Sequence, residues 1–77
     1  MRISITLTDG HSVTDARRTL IDYGFTISQE GPGRRLIVEA EEHVIEGVFS
    51  CKIEPDKRPS LNVGAAWPWV KSAGVLS

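Results

Sequence analysis

The chain has 77 residues, of which 40% are hydrophobic and 25% are charged, and its formal net charge is -1. A chain of this length forms one domain that buries only about 60% of its unfolded surface, so the expected core is small. The near-neutral charge argues against a protein that binds nucleic acid by broad phosphate neutralisation. No apolar run approaches the ~20 residues of a membrane span. The single cysteine, Cys51, excludes an internal disulfide and a cysteine metal site.

The N-terminal residues alternate between apolar and polar side chains. Ile3, Ile5 and Leu7 fall on one face, which predicts a first strand over residues 1–7 that is buried on one side only. The same alternation lacks the continuous apolar core of a signal peptide. We therefore expect a cytoplasmic protein, or a secreted one only if a signal peptide has been removed.

Residues 12–23 have the pattern of one amphipathic helix. Ser12 is suited to cap the first turn, and Asp15 lies three residues later, where a carboxylate meets the positive end of the helix. Gly24 is expected to end the helix, because glycine accepts the left-handed conformation of a C-terminal cap. The residues predicted to form the buried stripe are Val13, Ala16, Leu20 and Tyr23.

Two further strands follow, over residues 25–29 and 34–40, and the segment between them predicts a hairpin. Gly31, Pro32 and Gly33 favour a tight loop there. The apolar side chains again alternate, which places one set towards the core. The expected core residues are Phe25, Ile27, Leu36, Val38 and Ala40.

Residues 41–48 are open to two interpretations. Val44, Ile45 and Val48 suit a short helix after an acidic start, yet the segment is also β-branched enough to extend a strand, and we prefer the helix. Alternation of Phe49, Cys51 and Ile53 then predicts the fourth strand over residues 49–54. The resulting β-α-β-β-α-β order predicts a ferredoxin-like α+β fold. Its four-stranded antiparallel sheet is expected in the spatial order 4-1-3-2, with both helices on one face.

The character of the sequence changes after Asp56. We therefore divide the chain into a ferredoxin-like domain, residues 1–56, and an apolar C-terminal tail, residues 57–77, which packs on the domain or binds a partner. Trp67 and Trp69 flank Pro68. In an extended backbone their rings leave on opposite sides, so we expect Trp69 and Val70 to pack inward and Trp67 to stay partly accessible to a partner.

The polar residues do not predict chemistry. Asp9, His11 and Ser12 have the residue types of a hydrolytic triad, but turn and cap roles account for Asp9 and Ser12. His11, His43 and Cys51 lack the spacing of a metal site. We expect no catalytic activity, no cofactor and no metal. The pairs Arg17-Arg18 and Arg34-Arg35 lack interleaved aromatic residues, which argues against a nucleic-acid partner.

Two stretches carry a resemblance to a known family: TLTDGHSVTDARRTLIDYGFTIS, then RRLIVEAEEHVIEGVFSCKIEPD. They resemble the propeptide-type inhibitors of subtilisin-like serine proteases, whose pattern runs from a first strand and a DG pair, through a helix ending in YG, to a closing acidic strand. The resemblance covers residues 2–56. Its matching points are Asp9-Gly10, Tyr23-Gly24, Glu41-Glu42 and Ile53-Glu54-Pro55-Asp56.

The resemblance implies a folding chaperone or inhibitor that binds a protein partner with its open sheet face and places its C-terminal segment in the protease cleft. That face would comprise Ser4, Thr6, Thr26, Ser28, Arg35, Ile37, Glu39, Ser50, Lys52 and Glu54. The residues singled out for partner binding, with the tail tryptophan included, are Arg35, Ile37, Glu39, Lys52, Glu54 and Trp67.

A second interpretation is a phage- or mobile-element-encoded protein that blocks another host protein complex, such as a CRISPR complex, by protein-protein contact. The conformation of the C-terminal end distinguishes the two interpretations. A protease inhibitor is expected to keep residues 72–77 extended and mobile when free, whereas another interaction module buries them. In both interpretations the partner is a protein and neither a membrane nor a cofactor is involved.

Overall fold

The computed structural model describes residues 1–54 and 61–76, which form one four-stranded sheet and two α-helices. No helix in these two ranges is long and apolar enough to cross a membrane. In chain order the elements are β1 (Arg2–Leu7), α1 (Val13–Asp22), β2 (Thr26–Gly31), β3 (Arg35–Glu39), α2 (Glu42–Phe49), a 3-10 turn (Val63–Ala65) and β4 (Val70–Val75).

All strand pairs are antiparallel, and the sheet order is β2-β3-β1-β4. This is the predicted ferredoxin-like α+β architecture in the predicted strand order. One face of the sheet packs against both helices, because the buried residues of α1 and α2 join those of the strands in a single core. The fully buried large side chains are Ile3, Ile5, Leu7, Leu20, Leu36, Val38, Ile45 and Phe49.

The first helix begins and ends as its sequence predicts. The Ser12 hydroxyl accepts a hydrogen bond from the Asp15 backbone N–H at 3.3 Å, and Gly24 adopts a φ of +97° directly after the helix. Ala16 and Leu20 are fully buried. Tyr23, however, is 56% exposed, so its assignment to the buried stripe is wrong. As the C-cap it follows the last turn, where the helical period no longer fixes the direction of its side chain.

The predicted hairpin is formed by β2 and β3, with a three-residue connection in which Gly33 and Arg34 both have positive φ. A bulge between Ile27 and Gln29 shifts the register of β2. Beyond the bulge, Gln29 pairs with Ile37 and shares its face. Ser28, the extra residue of the bulge, is exposed, in agreement with its predicted outward position.

The helical interpretation of residues 41–48 is confirmed by α2, but the predicted fourth strand over residues 49–54 is wrong. Phe49 is the last residue of α2 and is fully buried with Ile45, four residues earlier on the same helical face. Ser50 then takes a left-handed conformation, with a φ of +47°. A short apolar run cannot be assigned from its period alone, and here the helix takes the residue that would have begun the strand.

The fourth strand comes instead from the segment predicted to be a tail. β4 pairs with β1, with Ile3 opposite Val75 and Ile5 opposite Ala73, and Val70 is buried in the core. A shift in register occurs where Leu7 meets Val70. The predicted boundary at residue 56 thus divides a single sheet. Prolines and glycines around β4 obscure its alternation in the sequence.

The residues after α2 fold back onto it. The carboxylate of Glu46 accepts a hydrogen bond from the Ile53 backbone N–H at 2.9 Å. Burial and, secondarily, the negative charge of Glu46 raise the pKa of the Cys51 thiol. Since the thiolate is the nucleophile, Cys51 is expected to react slowly at neutral pH.

Replacing Glu46 by glutamine is expected to speed the alkylation of Cys51. The amide oxygen of Glu46→Gln still accepts a hydrogen bond from Ile53, but the charge that raises the thiol pKa is gone. Iodoacetamide labelling between pH 7 and 9, followed by mass spectrometry, measures the alkylation rate of Cys51 in the parent protein and in the variant. Equal rates throughout this range would show that burial alone sets the reactivity of Cys51.

Candidate binding groove

The two tryptophans of the C-terminal segment lie side by side. Their rings stack with centroids 4.9 Å apart and planes 7° from parallel. The Val70 backbone N–H donates to the Trp67 carbonyl at 3.1 Å, so the chain turns at Pro68 instead of running extended. The prediction that the rings leave on opposite sides is wrong for this reason, although Val70 does pack inward as expected.

Other aromatic side chains extend this pair. The His11 ring stacks on the outer side of the pair against Trp69, with centroids 4.9 Å apart. Tyr23 meets Trp67 edge-on at 5.0 Å and 85°, and Phe25 does so at 6.5 Å. The Thr8 backbone N–H donates to the Trp69 carbonyl at 2.9 Å, which ties the turn to the end of β1. The stack therefore joins β4 to both ends of α1.

A groove lined mainly by apolar side chains lies between α2 and this aromatic stack. Its volume is about 410 Å³, within the usual range of binding pockets. Half-buried Val44 and Val48 come from one face of α2, and small residues of the 3-10 segment lie opposite. No Lys, Arg, Asp or Glu of the described residues lines it. The lining residues are Tyr23, His43, Val44, Gly47, Val48, Ala65, Ala66 and Trp67.

Gly47 lies in the middle of this groove wall, inside an eight-residue helix. A glycine in a helix interior costs roughly 0.5–1 kcal/mol relative to alanine. Nothing in the described part of the fold requires it, because a Cβ built at this position meets no described atom within 4 Å and φ is not positive. The missing side chain leaves the α2 backbone open to the groove.

The mouth of the groove holds an exposed histidine beside an acidic residue. His43 Nδ1 lies 3.4 Å from Glu41 Oε2, and both side chains are mostly exposed. The sequence around α2 is acidic: residues 36–51 contain Glu39, Glu41, Glu42 and Glu46, and no Lys or Arg. The groove therefore has a carboxylate beside its mouth and a mainly apolar lining.

The six residues predicted to bind a partner do not form one surface. Arg35 and Glu39 are exposed on the sheet face away from the helices, where Arg35 Nε donates to Ser4 Oγ at 2.8 Å. Ile37 lies between them on the same face but is only 8% exposed, so it does not present an apolar anchor. It pairs with Ser4 and Gln29 across the neighbouring strands.

The other three lie elsewhere. Lys52 and Glu54 are exposed in the segment after α2, which is not part of the sheet. The predicted open face is therefore wrong for these two residues and for Ser50, which caps α2. Trp67 is half-buried and lines the groove on the helix side of the sheet.

The residues considered for catalysis have structural contacts. The His11 ring is stacked on Trp69, and the Ser12 hydroxyl caps α1. His11 Nε2 is buried with no hydrogen-bond partner within the described part of the chain. Among residues 1–54 and 61–76, no group of three or more His, Cys, Asp or Glu is placed to hold a metal ion.

Most of the groove residues carry no functional signal in the sequence. His43, Val44 and Val48 read as an ordinary helix face, and the alanines as part of a tail. The helical period of residues 12–23 places Tyr23 on the buried stripe. The one available signal is Gly47, a glycine inside a predicted helix with no turn to make.

Comparison with protein families, with curated proteins and with solved structures finds no match to this chain. The resemblance to propeptide-type inhibitors remains a sequence-based prediction.

Proposed function

We propose that this protein is a small non-catalytic module that binds another protein, and that the groove between α2 and Trp67 receives a side chain of that partner. Most side chains that line the groove are apolar, and two of them, Tyr23 and Trp67, belong to the types that dominate protein interfaces. Tyr23 and His43 are exposed at the rim, so the groove is open to a protein segment rather than closed around a small molecule.

Gly47 is the observation that carries this proposal. Local sequence usually supports the fold, and a destabilising glycine inside a helix is an exception to this rule. No packing contact of the described residues explains the glycine in α2. Such departures are expected at functional sites. Any larger side chain at this position would project into the groove and occupy the space available to a partner.

The C-terminal segment bears on which kind of partner is involved. Residues 70–75 are paired with β1, and the Leu76 backbone N–H donates to the Arg2 carbonyl at 2.9 Å. An inhibitor that lays this segment in a protease cleft would first have to break these bonds. The pairing therefore favours the second interpretation, a module that blocks or regulates another protein complex by contact.

Filling the groove is expected to abolish binding while leaving the fold intact. Gly47→Leu adds a good helix former at an exposed position, so we expect the free energy of unfolding to rise by about 0.5–1 kcal/mol. The same leucine should occlude the groove. Thr14→Leu, on the exposed face of α1 outside the groove, is the matched control.

The binding test uses nine-residue peptides with one central residue, Phe, Leu, Arg or Glu, between Gly-Ser arms. Their titration is followed by ¹⁵N NMR, with the amides of Gly47, Ala65 and Ala66 as reporters. We expect saturable shifts with at least one peptide, retained in Thr14→Leu and lost in Gly47→Leu. If no peptide causes saturable shifts at these amides, the groove is not a binding site.

A further inference from the structure

We propose that the side chain received by the groove is cationic, an arginine or a lysine in an exposed segment of the partner protein. This inference rests on the function proposed above. Three properties of the groove support it: an apolar floor, an exposed tyrosine in its wall and a carboxylate beside its mouth.

The floor of the groove fits the stem of a long basic side chain. Val44 and Val48 on α2 and the small residues Ala65 and Ala66 provide an apolar surface that ends at an exposed rim. Lysine and arginine bury their methylene groups along such surfaces while the charged head remains near water. An open groove suits this arrangement better than an enclosed cavity would.

The walls suit the charged head. Tyr23 and Trp67 both line the groove, and their planes meet at 85° with centroids 5.0 Å apart. One face of Trp67 is already stacked on Trp69, so the exposed ring of Tyr23 is the one that offers a face to a cation. Arginine gains further from its planar guanidinium, which stacks on aromatic rings.

The charge around the groove has the complementary sign. No Lys or Arg of the described residues lines it, whereas Glu41 stands beside His43 at its mouth. The negative field of the Glu41 carboxylate extends about 8 Å at physiological ionic strength. An anionic side chain would be repelled, and a cationic one attracted.

The same set of peptides tests this inference against an apolar occupant. At 20 mM salt we expect the arginine peptide to bind about three- to tenfold more tightly than the phenylalanine peptide, and the glutamate peptide not to bind. The advantage of arginine should shrink at 500 mM salt, because the charges are then screened.

Two variants separate the contributions. Glu41→Gln is expected to weaken the binding of the arginine peptide and to leave the binding of the phenylalanine peptide unchanged. Tyr23→Leu should remove the preference for arginine, whereas Tyr23→Phe, which keeps the ring, should retain it. Tyr23 is exposed, so neither change is expected to unfold the protein.

The outcomes distinguish this inference from the function on which it rests. Equal or tighter binding of the phenylalanine peptide at 20 mM salt would overturn the cationic occupant and leave the groove as an apolar binding site. Arginine binding that is insensitive to salt and to Glu41→Gln would also overturn it. The absence of binding by every peptide would overturn the proposed function itself.

Discussion

A chain that ends at Asp56 is expected not to fold. Such a chain lacks β4, which pairs with β1 on the edge that faces away from β3. Without β4 that edge of β1 is unpaired. It also lacks Val70, which is buried in the core, and Trp67, which packs against Phe25 and Tyr23. Native domains are stable by only about 5–15 kcal/mol, and small ones bury the least surface. We therefore expect the loss of a whole strand to unfold the domain.

Circular dichroism and one-dimensional proton NMR measure this result directly. The 1–56 chain should show a disordered far-ultraviolet spectrum and no dispersed methyl signals. A chain ending at Val75, which keeps all of β4 and loses the hydrogen bond between Leu76 and Arg2, is the control and should remain folded. A cooperative melt of the 1–56 chain would show that residues 57–77 are dispensable to the fold.

The second large effect is expected at the centre of α1. Leu20 is fully buried in the core that both helices share with the sheet. Leu20→Ala should lower the free energy of unfolding by about 2–5 kcal/mol, because it removes buried methyl groups and leaves a cavity. For so small a domain this is a large part of the total stability.

The neighbouring residue supplies the control. Ile21 is 56% exposed, so Ile21→Ala should change the stability by no more than about 0.5 kcal/mol. Guanidinium chloride unfolding followed by tryptophan fluorescence measures both variants. Equal effects of the two substitutions would mean that the buried face of α1 has been assigned incorrectly.

The groove depends on the same tertiary contacts as the fold. Tyr23 ends α1, Gly47 lies in α2 and Trp67 precedes β4, so three separate parts of the chain meet there. Of these three residues, the sequence predicts only Trp67 to contact a partner. Because the groove lies on the helix side, a partner bound there would leave the open sheet face uncovered.

Local chemistry by itself determined most of the secondary structure. The Ser12 cap and Gly24 bound α1, the glycines around Pro32 make the hairpin, and the alternation in β1 and β3 gives their buried faces. These signals involve residues within a few positions of one another. Together with α2 they predict the ferredoxin-like order as far as the second helix, whereas the prediction of the fourth strand over residues 49–54 is wrong.

Tertiary structure decided the features that depend on competition between distant segments. Phe49 could have begun a strand, but it packs with Ile45 in the core, and the vacant position beside β1 is taken by residues 70–75. Trp67 and Trp69 share one side because the turn at Pro68 and the contact with Thr8 bring them together. A sequence period shows which side chains can share a face, whereas the burial of apolar surface by the whole chain selects which segment fills each place.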